Sequence, residues 1–280
     1  MTSRATGRPA MRILPGFSLT MGLTITWLSL IVLIPLSAVF IRSMGQGFGH
    51  FIQVAFSERA LASYRVTFGA AAIAALVNAI FGLLIAWVLV RYRFPGRQLL
   101  SAVIDLPFAL PTAVAGIALT AIYADTGWLG EPLARLGIAV AYQPQGIVVA
   151  MTFIGLPFVV RTVEPVLADL GRDIEEAALT LGAHRIQIFA RVVLPEIMPA
   201  LVTGTALAFA RGVGEYGSVI FIAGNMPMIS EISPLLIITQ LEQYDYEGAA
   251  AIAVVMLLIS FSMLLVINRV QEYNRRKAGL

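Results

Sequence analysis

Three charged residues stand inside stretches that are otherwise apolar. Arg211 and Glu215 lie four residues apart in the run 200–223, the spacing that puts two side chains on one helix face. Asp105 opens the segment Asp105-Leu106-Pro107-Phe108-Ala109-Leu110-Pro111-Thr112 in another run. A charge at the centre of a bilayer costs at least about 2.5–3.5 kcal/mol on insertion scales, so an unpaired placement facing lipid is excluded. Two chemistries remain. Arg211 can offer positive charge to a passing anion, offset by Glu215, at a site that binds weakly because the anion must also leave. Alternatively Arg211 belongs to a buried structural pair, with Glu215 or with Asp105 at a similar depth.

A second constellation is a polar stretch between two apolar runs: Glu175-Glu176-Ala177-Ala178-Leu179-Thr180-Leu181-Gly182, with Pro195 thirteen residues beyond the glycine. Asp173 can cap a helix, and Glu176 three residues on completes a capping-box-like pair. Ile174, Ala177, Ala178 and Leu181 fall at i, i+3, i+4 and i+7, giving one apolar face. Gly182 can end this helix by taking φ > 0. A second short helix is expected from about His184, with Ile186, Phe189 and Val193 along one side and Pro195 and Pro199 stopping it. Paired alanines let a helix sit close to another surface. Such a loop suits docking into a partner's groove or packing on its own bundle.

Membrane helices must position these residues. The chain has 280 residues, 59% hydrophobic and 12% charged, where a soluble domain carries about 25% charged residues. Mean hydropathy is +0.86. A helix needs about 20 apolar residues to cross a bilayer, and six runs qualify: 19–41, 66–90, 100–124, 146–166, 200–223 and 248–267. Arg4, Arg8 and Arg12 before the first run resemble the charged start of a signal peptide. That run exceeds an apolar signal region of about 7–15 residues and reads as a retained span. The N-terminal tail, the loop 91–97, the loop after the fourth run and the C-terminal tail are rich in arginine. The opposite loops hold only Arg42, Arg59, Arg65 and Arg135. The positive-inside rule then puts both termini and the Glu176 loop in the cytoplasm. The net charge of +3 calls for no nucleic acid.

Ala71, Ala75 and Ala79 recur every four residues, as do Asn78, Gly82 and Ala86. Small residues let helix backbones approach closely in lipid, so spans two to six are expected to form a packed core with the bulkier span one outside. Pro107 and Pro111 each remove a helical hydrogen bond, which makes span three a static kink or the wall of a cavity. The outer run Pro234-Leu235-Leu236-Ile237-Ile238-Thr239-Gln240-Leu241 is too short to cross and is expected to be interfacial or re-entrant. The expected division is a tail at 1–18, a first helix and outer loop at 19–61, a five-helix core at 62–267 carrying the loop 167–198, and a basic tail at 268–280.

Absent residues exclude other functions. There is no cysteine, hence no disulfide or thiolate site. His50 and His184 fall in loops on opposite sides, and neither an HExxH pattern nor an intramembrane Ser/His pair is present. Lys277 is the single lysine, so no phosphate-binding Gly-Lys-Ser/Thr loop exists. Energy for any transport must come from a partner or from a gradient. In the second case Asp105 or Glu215 would carry protons for an ion-coupled secondary transporter.

Glu176-Ala177-Ala178, three residues, Gly182, nine residues and Val192-Val193-Leu194-Pro195 resemble the signature of permease subunits of binding-protein-dependent ABC importers. Val192 stands where isoleucine is usual. The chain from about residue 14 to 267 is similar, more narrowly, to the sulfate/thiosulfate permeases of the CysT type. Tyr92-Arg93-Phe94-Pro95-Gly96-Arg97, Leu106-Pro107-Phe108-Ala109-Leu110-Pro111-Thr112, Pro157-Phe158-Val159-Val160-Arg161 and Gly214-Glu215-Tyr216-Gly217 carry that likeness, as does the run ending at Asn225. Tyr216 is usually phenylalanine. CysW-type and molybdate permeases share the Gly-Glu-aromatic-Gly motif but match the span-three and Asn225 regions less.

The resemblance implies an all-α membrane protein with six transmembrane helices and the type I ABC importer permease fold, in a bacterial inner membrane. It implies no catalytic, cofactor or metal site in this chain. It implies a second, CysW-type permease subunit, two copies of an ATPase subunit that bind ATP, and a periplasmic sulfate/thiosulfate-binding protein, all in membrane lipid. Glu175, Glu176, Ala177, Ala178 and Gly182 carry over as the ATPase-docking residues. Asp105, Pro107, Pro111, Thr112, Arg211, Glu215 and Asn225 are candidates for the translocation path or gate. Another oxyanion such as molybdate is the alternative substrate.

Overall fold

A computed structural model describes residues 16–277, and every element among them is helical. Arg4, Arg8 and Arg12 of the expected N-terminal tail, and residues 278–280, lie outside the described residues. Helices α1 (Phe17–Leu28) and α2 (Ile34–Ser43) form the first span, α3 (Phe48–Ala55) follows, and α4 (Glu58–Arg91) is the second span. Then come α5 (Arg97–Ala109), α6 (Thr112–Tyr123), α7 (Gly130–Arg135) and the long α8 (Pro144–Asp169). The loop helices α9 (Arg172–Thr180) and α10 (Arg185–Ile188) lead to α11 (Leu194–Val213). Short α12 (Val219–Ile222), α13 (Ser233–Glu242) and α14 (Tyr246–Lys277) complete the chain. Five stretches are long and apolar enough to cross a membrane: Phe17–Ser43, Glu58–Arg91, Pro144–Asp169, Arg185–Val213 and Tyr246–Ile267. The bent pair α5 and α6 passes the same test only when taken together, as one broken span or a re-entrant loop.

The bundle closes on small residues. Helix α4 starts at Ser57, whose hydroxyl accepts from the Ala60 N–H at 3.3 Å, and buries Ala71, Ala74, Ala75, Asn78, Gly82 and Ala86 along one stripe. Ala79 is only partly covered. A Cβ added at Gly82 would lie 2.8 Å from the Val159 side chain, and one at Gly204 would lie 2.9 Å from the Val159 Cα. Helices α4, α8 and α11 therefore meet at backbone contact around Val159, as the spacing of small residues requires. The first span has no buried residue in α1 and joins the rest through α2, where Ser43 is buried and Arg42 pairs with Glu247 at 3.3 Å.

The short outer run is a helix, α13, fastened to α4. Arg59 forks onto buried Glu231, Nε to Oε2 at 2.8 Å and Nη2 to Oε1 at 2.7 Å. Ser63, Thr67 and Ser233 share a buried hydroxyl cluster whose contacts run from 2.8 to 3.2 Å. A forked pair fixes geometry better than a point contact does.

Two spans depart from expectation. The third is two helices whose axes meet at 116°. Pro107 is absorbed inside α5, while Pro111 forces Leu110 into extended backbone at φ −83°, ψ 136° and ends the helix. The fifth runs Arg185–Val213, well before the expected 200–223, and Pro195 and Pro199 do not stop it. A π-helical turn at Phe189–Val193 precedes Pro195, and another at Ser29–Leu33 precedes Pro35 in the same register. The wider turn displaces the carbonyl four residues back, which the proline ring would otherwise strike.

Candidate functional site

The loop after α8 is tied to the bundle at one point and open elsewhere. Helix α9 begins at Gly171 with no side-chain cap, so Asp173 and Glu175 occupy its first turn, where they favour the positive end of the helix dipole. The capping box expected from Asp173 and Glu176 is not formed, because the helix starts two residues earlier. The end is as expected: Gly182 takes φ +82°. Its N–H donates to the Leu179 carbonyl at 2.9 Å, and that of Ala183 to the Ala178 carbonyl at 3.1 Å, the Schellman pattern.

The anchor is Arg91, at the end of α4. Its Nη2 meets Glu175 Oε1 at 2.7 Å and donates to the Leu170 carbonyl at 2.9 Å. Trp87 lies beneath its guanidinium and meets Phe189 edge-on at 5.5 Å. Glu175 thus faces the bundle. Ala178 also packs inward, against the cluster formed by Ala86, Leu89, Val160 and Ile188. Glu176 and Ala177 face out. Around them three large apolar side chains are exposed: Ile174 by 45%, Leu181 by 88% and Ile186 by 82%. Contiguous exposed apolar surface beside polar residues marks a contact with another protein.

The pore candidates divide into two groups. On the α5 side Arg161 of α8 takes Asp105, with Nε to Oδ1 at 2.8 Å, and reaches the Ser101 hydroxyl at 2.8 Å. It also pairs with Glu164. Asp105 is therefore the partner of Arg161, and the expected alternative of an Asp105–Arg211 pair is corrected. Pro107 lies on the same helix, next to Phe108, which meets Phe158 edge-on at 5.1 Å.

On the other side Arg211 sits in the last turn of α11, not in mid-span, and Glu215 lies beyond the helix end. Arg211 Nη1 meets Glu215 Oε2 at 2.6 Å. The other oxygen, Oε1, accepts from the N–H and the hydroxyl of Ser218, both at 2.9 Å. The Glu215 side chain is 2% exposed and that of Arg211 34%. Pro111 and Thr112 start α6, which lies against this loop: a Cβ added at Gly217 would strike Thr112 Oγ1, and one at Gly116 would strike the Ser218 backbone. Asn225 follows α12 at φ +55°, where asparagine tolerates left-handed backbone, and its Nδ2 donates to the Ile220 carbonyl at 2.7 Å.

The structure places Thr112 against the loop that follows the Arg211–Glu215 pair, and gives Asp105 to Arg161 instead. Sequence reasoning missed Arg161 and Glu164, although a charged pair three residues apart inside an apolar run is the signal that could have found them.

The sequence profile of the binding-protein-dependent transport system inner membrane component matches residues 78–279. The chain belongs to that family. Within it, this permease is similar to the sulfate transport system permease protein CysT of Salmonella typhimurium strain LT2 and to that of Escherichia coli strain K12. Each is 49% identical over 269 residues, 96% of this chain and 97% of the relative. In fold the permease is similar to a chain of a bacterial ABC transporter involved in the import of the acidic polysaccharide alginate. The TM-score is 0.76 at 17% identity, covering 92% of this chain and 96% of that one. The permease is a multi-pass membrane protein with the fold of type I ABC importer permeases.

Proposed function

We propose that this chain is the membrane-spanning subunit of an ATP-driven importer that carries sulfate or thiosulfate from a periplasmic binding protein into the cytoplasm. The observation that carries the ATP-driven part is helix α9. It presents Ala177, Ile174 and Leu181 outward, and Arg91 and Glu175 hold its base rigidly on α4. A rigid base is what a lever needs. When two ATPase subunits close on ATP, each pulls its docked helix, and that displacement enters the bundle through Arg91, Trp87 and Phe189. The chain itself hydrolyses nothing, and its partners are a CysW-type permease, two ATPase copies and the binding protein. Both termini and α9 face the cytoplasm of a bacterial inner membrane.

The anion assignment rests on the relatives at 49% identity, which are named as sulfate permeases. Arg211 and Glu215 serve as a lock between the end of α11 and the loop against α6, because a buried carboxylate holding three donors is a structural joint. The test is to purify the chain with its partners and measure ATP hydrolysis with binding proteins loaded with sulfate, thiosulfate or molybdate. Stimulation by the sulfate-loaded protein supports the reading. Stimulation by molybdate alone overturns the substrate, and transport without ATP overturns the energy source.

A further inference from the structure

A crevice of about 810 Å³ lies where α4 ends and α5 begins. Its wall is apolar: Leu89 from the last turn of α4, Phe94 from the connection, and Leu99 from the first turn of α5, the last 70% exposed. Its polar lining includes Arg93 and Arg97. Neither guanidinium has a hydrogen bond or ion pair among the described residues, although that of Arg91, two residues earlier, holds Glu175 and the Leu170 carbonyl. The acid in the crevice is Glu164, whose carboxylate is held by Arg161, which also holds Asp105.

We infer that this crevice binds the headgroup of an anionic phospholipid. Phe94 follows the end of α4 and Leu99 stands in the first turn of α5, so their surface continues the apolar outer face of the bundle. The unpaired guanidiniums stand just beyond it, at the depth of lipid phosphates. Guanidinium forks match phosphate oxygens, and a basic pocket between transmembrane helices is the form such lipid sites take. An acyl chain beside such a headgroup would cover Leu99, which is 70% exposed. Two arginines near an anionic headgroup are worth roughly 30-fold in lipid retention. The leaflet rests on the orientation proposed above; the lipid chemistry does not.

The test uses the assembled transporter in nanodiscs of phosphatidylcholine doped with phosphatidylglycerol, with retained lipid counted by native mass spectrometry. The native protein should retain phosphatidylglycerol through detergent washing. Arg93→Gln/Arg97→Gln should lose it by roughly 30-fold. Arg93→Lys/Arg97→Lys, which keeps the charge, should retain most of it, and Arg191→Gln, a charge change elsewhere on the same side, should retain all of it. Equal retention by the double glutamine variant overturns the proposal. Displacement of the lipid by millimolar inorganic phosphate would overturn it in favour of a free anion. Loss of the ATPase from the glutamine variant with lipid retained would overturn it in favour of a protein contact. A reporter fused at Gly96 reads the leaflet separately, so a reversed orientation and a missing lipid site give different results.

Discussion

Arg211→Gln removes one partner of a carboxylate that cannot reach water. The Glu215 side chain is 2% exposed, and its Oε2 is held by Arg211 at 2.6 Å while Oε1 keeps both Ser218 donors. Breaking a fully buried pair from one side costs about 3–5 kcal/mol. Arg211 is 34% exposed, so part of its interaction is already screened, and two donors remain on Glu215. A cost of about 2–3 kcal/mol follows, or roughly 30- to 140-fold in the folding equilibrium constant. The assay is thermal unfolding of the purified transporter together with the yield of assembled complex. The single variant should lose both. Arg211→Gln/Glu215→Gln should recover most of the loss, because a neutral amide oxygen still accepts from Ser218 and no charge is stranded. Additivity of the two single substitutions would refute the lock, since residues acting as one pair do not add. If Arg211→Gln assembles normally and only sulfate uptake falls, the arginine serves the passing anion. Normal assembly with normal uptake would defeat both readings.

Ala177→Trp should release the ATPase and abolish transport while the isolated chain keeps its melting temperature, whereas Ala178→Trp should lower that temperature, because Ala178 packs on the bundle. Unchanged ATPase retention in the Ala177 variant would remove the docking assignment. Asn78 is buried with neither amide atom bonded among the described residues, and Gly155 makes room for it. Asn78→Leu should therefore stabilise the bundle by about 1–3 kcal/mol in thermal unfolding, and a fall in stability would show that the amide is bonded in the assembled complex. Reporter fusions after Asn225 and after Lys277 should report opposite sides of the membrane; a shared side would sink the proposed orientation.

The sequence made the bundle legible because lipid imposes simple rules. Apolar length locates the spans, and the Ala and Gly stripe of α4 marks the face that meets α8 and α11. Gly182 was legible because few residues other than glycine take positive φ at a helix end. Proline was not. Pro107, Pro195 and Pro199 lie within helices, while Pro111 ends one. The difference depends on whether a widened turn or a neighbouring helix can absorb the missing hydrogen bond, and no local pattern states that. Charge pairing failed similarly. Depth along a span said that Asp105 and Arg211 needed partners, but only the packing of α5 on α8 shows that Arg161 takes Asp105. The inward turn of Glu175 depends on Arg91, more than eighty residues earlier, and is invisible to helix periodicity.

The central claim is that an ATPase drives this permease through α9. Its most direct test is ATP hydrolysis by the reconstituted transporter, with and without the sulfate-loaded binding protein, for the native chain and for Ala177→Trp. Stimulation is expected in the native transporter and none in the variant, with an intact, inserted permease in both. Equal stimulation in the two would contradict the claim.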